Sequence, residues 1–115
     1  KVEQIKSNVR HNMDNLKSQY KTIAGYGSPA KATTALNFFG LDNNDIRYTI
    51  EDNELKHNKI IPGVNIPIKN KLYAMENLPD LIIVLAWNFY DSIIENNQDL
   101  IDQGARFISI KDLEL

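Results

Sequence analysis

The chain has 115 residues, 43% hydrophobic and 24% charged, with 13 basic and 15 acidic side chains giving a formal charge of -2; that length accommodates one core and that balance describes a folded globular domain. Neither sign of charge is gathered into a long block, so no nucleic-acid partner is indicated. The lack of cysteine removes disulfides, thiolate metal sites and cysteine nucleophiles and fits a cytoplasmic setting, while the longest apolar run, Leu81 to Trp87, is too short to span a bilayer and points to no membrane partner.

Because Lys1 is not preceded by methionine and the pattern is helical at once, a fragment of a longer chain is expected. Val2, Ile5, Val9, Met13, Leu16 and Tyr20 recur at steps of three or four, which predicts a long N-terminal amphipathic helix. Thr22 to Gly27 reads as a short strand running into a glycine turn, after which Ser28 can cap and Pro29 can open a helix reaching about Phe39, closed by Gly40. Ile46 to Ile50 is a second strand ending on Glu51-Asp52-Asn53, and His57 to Lys69, with Pro62, Gly63 and Pro67, reads as a loop with at most a short strand at Val64 to Ile66.

A short helix is expected from Lys71 to Asn77. Leu81 to Ala86 is a continuous apolar run bounded by turn signals, as a central parallel strand covered on both faces requires. Ile93, Ile94, Asn97, Leu100 and Ile101 mark one more helix, ending at Gly104, and Arg106 to Ile110 a last strand. The alternation predicts a single α/β domain over residues 1–115: a Rossmann-like open, mainly parallel sheet of four to five strands with helices on both faces, preceded by the long helix.

Gly25-x-Gly27-x-x-Ala30 matches the dinucleotide-type fingerprint and falls between a strand and a helix, as that fingerprint demands. On this reading Gly25 permits the tight turn, Gly27 lets backbone amides approach an anion, and Ala30 lets the helix pack close to the strand. The helix N-terminus then faces the phosphate, and Lys31 in the first turn adds a cation. The structural alternative is a glycine turn that only connects two elements.

Asp52, at the end of the second strand, can bond ribose hydroxyls, although it stands beyond the usual spacing of roughly 20 residues for a nicotinamide cofactor. Lys56 and His57 follow on the same edge. Trp87 and Asn88 come directly after the central strand, at the carboxyl edge where open α/β sheets bind ligands; the alternative is a core tryptophan beside a capping asparagine. Thr33 and Asn37, one and two turns along the helix from Ala30, are expected to pack on the sheet. Ser28-x-x-Lys31 also fits a serine acyl-transfer pattern, but no Lys-Thr-Gly accompanies it and a capped helix start explains the same residues. His11 and His57 stand alone, so neither a metal site nor a catalytic triad is legible.

Four ordered segments together resemble a known family, the C-terminal domain of the sugar C-methyltransferases that act on nucleotide-linked deoxysugars. They are Ala24-Gly25-Tyr26-Gly27-Ser28-Pro29-Ala30-Lys31; the acidic strand end Asp52-Asn53 with Lys56; Ile61-Pro62-Gly63 followed by Ile66-Pro67-Ile68; and Leu85-Ala86-Trp87-Asn88-Phe89. Thr33 departs from the relatives, which often carry glycine or an asparagine-rich pair there. The resemblance implies a three-part parent, with an N-terminal zinc-binding segment, a central S-adenosylmethionine-binding domain and this domain closing over the nucleotide sugar.

The resemblance further implies that Gly27, Ser28, Lys31 and Lys56 contact the diphosphate, that Trp87 and Asn88 shape the pocket, and that this domain binds neither cofactor. The catalytic groups would lie upstream, leaving the isolated domain inactive. An autonomous NAD or CoA module, and a scaffold whose first helix packs on a partner domain, are the competing expectations.

Overall fold

The computed structural model describes residues 2–27, 30–52 and 58–115, and gives the backbone but not the side chains at positions 30–32 and 35. A long helix α1 (Val2–Gln19) leads into strand β1 (Ile23–Tyr26) and helix α2 (Ala30–Phe39). Next come β2 (Thr49–Ile50), the ribbon β3 (Ile60–Ile61) and β4 (Ile66–Lys69), α3 (Lys71–Glu76) and β5 (Leu81–Val84). A 3-10 turn (Trp87–Phe89), α4 (Tyr90–Asn96), α5 (Gln98–Asp102), β6 (Arg106–Ser109) and a second 3-10 segment (Ile110–Glu114) complete the order.

Among the described residues the sheet has six strands in the order β3-β4-β2-β1-β5-β6. All pairs are parallel except β3 with β4. Taken in chain order, the five parallel strands lie third, second, first, fourth, fifth, which is the Rossmann-like arrangement expected. The strand number is higher than the predicted four to five because the proline-rich stretch forms an antiparallel ribbon on the edge. Pro67 sits in β4 opposite Ile60 of the edge strand β3, one residue before β4 begins to pair with β2 at Ile68.

Two apolar layers flank the sheet because successive strand residues point to opposite faces. On one face Ile23, Leu81, Ile83 and Leu85 pack with Val9 and Met13 of α1 and Leu36 of α2. On the other, Ala24, Tyr26, Ile82 and Val84 pack with Ala74, Ile93 and Leu100. The helix following β1 therefore covers one face and those following β5 the other, so the winding reverses between β1 and β5. All four residues of β5 are fully buried, as its unbroken apolar run predicts.

Local signals place most boundaries. Gly40 adopts φ +69 and the Leu41 N–H returns to the Leu36 carbonyl at 3.0 Å, a left-handed helix stop. Asn70 accepts from the Tyr73 N–H at 2.8 Å to start α3. Two expectations are corrected. The second strand is shorter than Ile46 to Ile50, because residues 42–46 are turned, with the Ile46 N–H on the Asp42 carbonyl at 3.0 Å. The single helix expected through Ile101 is divided at Asn97, whose side-chain amide donates to the Ile93 carbonyl at 2.7 Å while its backbone sits at φ -126.

Long-range polar contacts lock α1 in place. Asn8 and Asn12 donate to the Glu114 and Leu113 carbonyls at 3.1 and 2.9 Å. Arg10 and Lys17 both reach Asp45 Oδ1, at 2.6 and 3.1 Å.

Candidate functional site

The reversal between β1 and β5 is a topological switch point, and in open α/β sheets ligands bind outside the carboxyl ends of the strands at such a point. The residues there are Tyr26 at the end of β1, Gly27 just after it, and Leu85 to Phe89 after β5. The Tyr26 carbonyl accepts from the Leu85 N–H at 2.9 Å and the Ala86 N–H at 3.4 Å, which holds the two chain ends together up to the residue before Trp87.

The two glycines of the turn have different jobs from those the fingerprint suggests. Gly25 lies within β1, not in the bend; a Cβ there would stand 3.0 Å from Leu85 Cδ1 and 3.1 Å from Thr49 Cγ2, so glycine lets those side chains close over the strand. Gly27 is the turning residue, at φ +87, a conformation that side chains rarely adopt. The N–H groups of Gly25 and Gly27 donate to the Tyr48 and Ile50 carbonyls at 2.8 and 2.7 Å. The sheet takes both, and any amides available to an anion must come after Gly27. The backbone of Lys31 is in the first turn of α2; its side chain, and Ser28, Lys56 and His57 entirely, lie outside the described residues.

Asp52 stands two residues beyond β2, and the Tyr26 phenol donates to its Oδ1 at 2.9 Å, with Oδ2 at 3.2 Å. Burial pushes that phenol up to about 12; the neighbouring Asn97 amide opposes the rise and Asp52 adds to it. Asn97 is buried, and its Oδ1 has no hydrogen-bond partner among the described residues. Asn37 donates to the Thr33 and Pro62 carbonyls at 2.8 and 3.3 Å, beside Gly63 at φ +84. The Pro62-Gly63 pair thus anchors α2 to the ribbon.

Trp87 is no core residue. The residue is 48% exposed and Phe89 61% exposed, both on the 3-10 turn after β5. With Asn88 they form one side of an open groove of about 650 Å³ whose other side is Ser109, Lys111 and Asp112 after β6. Lys111 Nζ lies 4.7 Å from the Trp87 ring centroid. Ser109 and Asp112 cap each other reciprocally, fixing the far wall. Burial raises the Tyr90 phenol, and Asp112 and Asp91 raise it further, so carboxylates of both walls stand near one ring.

Asp91 lies in α4 past the Trp87-Asn88 pair, and Lys111 and Asp112 follow β6, a strand that carries no ligand motif, so none of the three is marked by a ligand motif along the chain. The Ser109-x-x-Asp112 capping pattern is the signal that a helical turn starts there. Among the described residues no group of three His, Asp or Glu side chains could hold a metal ion, and with no cysteine in the chain the donor set does not fit a structural zinc. No described helix is long and apolar enough to cross a membrane.

A family model for the C-methyltransferase C-terminal domain matches residues 1–110. Among curated proteins, the C-methyltransferase NovU of Streptomyces niveus is 36% identical over 106 residues, a match covering 92% of this chain and 25% of that protein. The chain spans about a quarter of that relative's length. These similarities, over nearly every element described above, establish that the chain belongs to the family of C-methyltransferase C-terminal domains.

Proposed function

We propose that this domain binds the nucleotide-sugar substrate of a larger S-adenosylmethionine-dependent sugar C-methyltransferase, and that upstream domains of the parent chain supply the methyl donor, the zinc segment and the catalytic groups. The observation that carries the proposal is the pairing, at one switch point, of the left-handed Gly27 with an exposed Trp87 beside a groove. Membership of the family and the greater length of NovU support it.

In this reading the diphosphate lies beyond Gly27, at the start of the ten-residue helix α2, where first-turn N–H groups lack intrahelical acceptors and the helix dipole favours an anion. Ser28, Lys31 and Lys56 complete that site. Tyr26 holds Asp52 at the same edge, and Trp87 and Asn88 receive the remainder of the ligand.

Calorimetric titration of the chain with nucleotide sugars, S-adenosylmethionine and NAD tests the assignment. Saturable binding of a nucleotide sugar without methyl transfer is expected. A preference for either cofactor overturns it, and Gly27→Val with Lys31→Ala leaving binding intact overturns the role of the turn. A second reading, an autonomous NAD or CoA module, draws on the placement of Asp52 just past β2, where a ribose-binding acid stands. Asp52 stands further from the glycine turn than the usual roughly 20 residues, which counts against it.

A further inference from the structure

We infer that the groove between the turns after β5 and β6 is a subsite for an uncharged, hydroxyl-bearing ring, and that Lys111 occupies the Trp87 face until such a ring displaces it. The inference rests on the nucleotide-sugar reading only for where the ring comes from, since both the sugar and the nucleoside of such a ligand have this chemistry.

Shape and charge both point this way. The groove, at about 650 Å³, falls within the range of small-molecule sites. Trp87 and Phe89 leave large aromatic faces in water on a single 3-10 turn, and such faces stack on the apolar faces of flat rings. Among the described lining residues Lys111 is the one cation, against the carboxylates of Asp91 and Asp112, so the lining carries a net charge of minus one. Lys111 is further compensated by Glu114, at 3.4 Å. A diphosphate would enter against like charge, whereas hydroxyl groups would donate to Asp91 and Asp112 and bond the Asn88 amide.

The contact of Lys111 with Trp87 is the kind a ligand can replace. Its ammonium stands 4.7 Å from the ring centroid, its side chain is half exposed, and a cation over an exposed indole is held weakly. When the lysine swings out, its charge remains satisfied by water and Glu114, and the uncovered ring face accepts a neutral partner. The anionic part of the ligand is left to the α2 side of the switch point.

Trp87 is the only tryptophan in the chain, so indole fluorescence reports on this groove alone. The chain is titrated with a nucleoside, a methyl glycoside, inorganic pyrophosphate and a nucleotide sugar, with calorimetry in parallel. A saturable fluorescence change is expected with the nucleoside or the glycoside, insensitive to added salt, and none with pyrophosphate; whichever neutral ring responds identifies which end of the ligand the groove takes. Lys111→Ala should tighten that ring several-fold and Asp91→Ala weaken it several-fold with an unchanged thermal midpoint.

A response to pyrophosphate, or silence toward both neutral rings up to about 20 mM, where a millimolar site is nearly full, overturns the inference. Loss of the response, or no change in it, in Lys111→Ala overturns the displacement. Heat from a nucleotide sugar with Trp87 silent removes the groove and leaves nucleotide-sugar binding to the α2 side of the switch point. No heat from the nucleotide sugar while a neutral ring still moves Trp87 does the reverse.

Discussion

The Tyr26 phenol, at the last position of β1, donates to Asp52 Oδ1 at 2.9 Å across the carboxyl edge of the sheet. The ring beneath is almost wholly buried and tilted against Phe107 at 6.4 Å between centroids, so a core side chain anchors an exposed carboxylate beside the glycine turn. Core packing and site geometry therefore meet in one residue.

Removing only the hydroxyl separates these roles. Tyr26→Phe retains the ring contacts and leaves Asp52 in water, so unfolding in urea should show a loss of about 1 kcal/mol with an unchanged denaturant slope. Nucleotide-sugar affinity should fall more than that stability change explains, because Asp52 is no longer oriented. Equal affinity in wild type and variant would detach Asp52 from the site.

Alkaline titration reads the same phenol. Burial is the main cause holding Tyr26 and Tyr48 each at about 12, above the ordinary value of 10.0. Both must be protonated in the native state where the unfolded chain ionises. Their contribution is thus complete below pH 10 and is lost as pH rises from 10 to 12, by on the order of 2 kcal/mol per phenol. Urea midpoints across that window should fall steeply, and less steeply in Tyr26→Phe and Tyr48→Phe.

Asp45 is the acid-side counterpart. Its side chain is 4% exposed and is bonded by Arg10 at 2.6 and 3.1 Å and by Lys17 at 3.1 Å. Burial would raise its carboxyl, but these partners and the Asp42 N–H outweigh it and hold it below 3.8. The stabilisation is present above that value and is lost as pH falls through the lowered one. Asp45→Ala leaves Lys17 without this carboxylate and Arg10 with its α1 neighbour Asp14, at 2.7 Å; because both cations are more than a third exposed, the loss should be about 1–3 kcal/mol, with the acid dependence of the urea midpoint reduced.

The turn glycines should fail for different reasons. Gly25→Ala brings a methyl against Leu85 and Thr49 and should cost about 1–3 kcal/mol through overpacking. Gly27→Ala meets an unfavourable backbone conformation, costing about 1–2 kcal/mol, and should impair ligand binding beyond its effect on stability. A Gly25 variant whose Leu85 is also shortened to alanine should recover part of its loss, while the same second change should not rescue Gly27→Ala.

Local chemistry legible along the chain determined the elements themselves. The three-to-four step of Val9, Met13 and Leu16 made α1, the unbroken run Leu81 to Val84 made the buried strand β5, Gly40 ended α2, and the alternation of these elements implied a parallel sheet. The order of motifs from Gly25 to Asn88 also carried the family.

What only the tertiary structure decided depends on contacts between residues far apart in sequence. Such contacts keep Gly25 and Gly27 amides within the sheet, leave Trp87 outside the core and link Tyr26 to Asp52. The groove belongs to this second class, because Trp87 and Lys111 become neighbours only when β6 pairs beside β5, and no spacing along the chain encodes that adjacency.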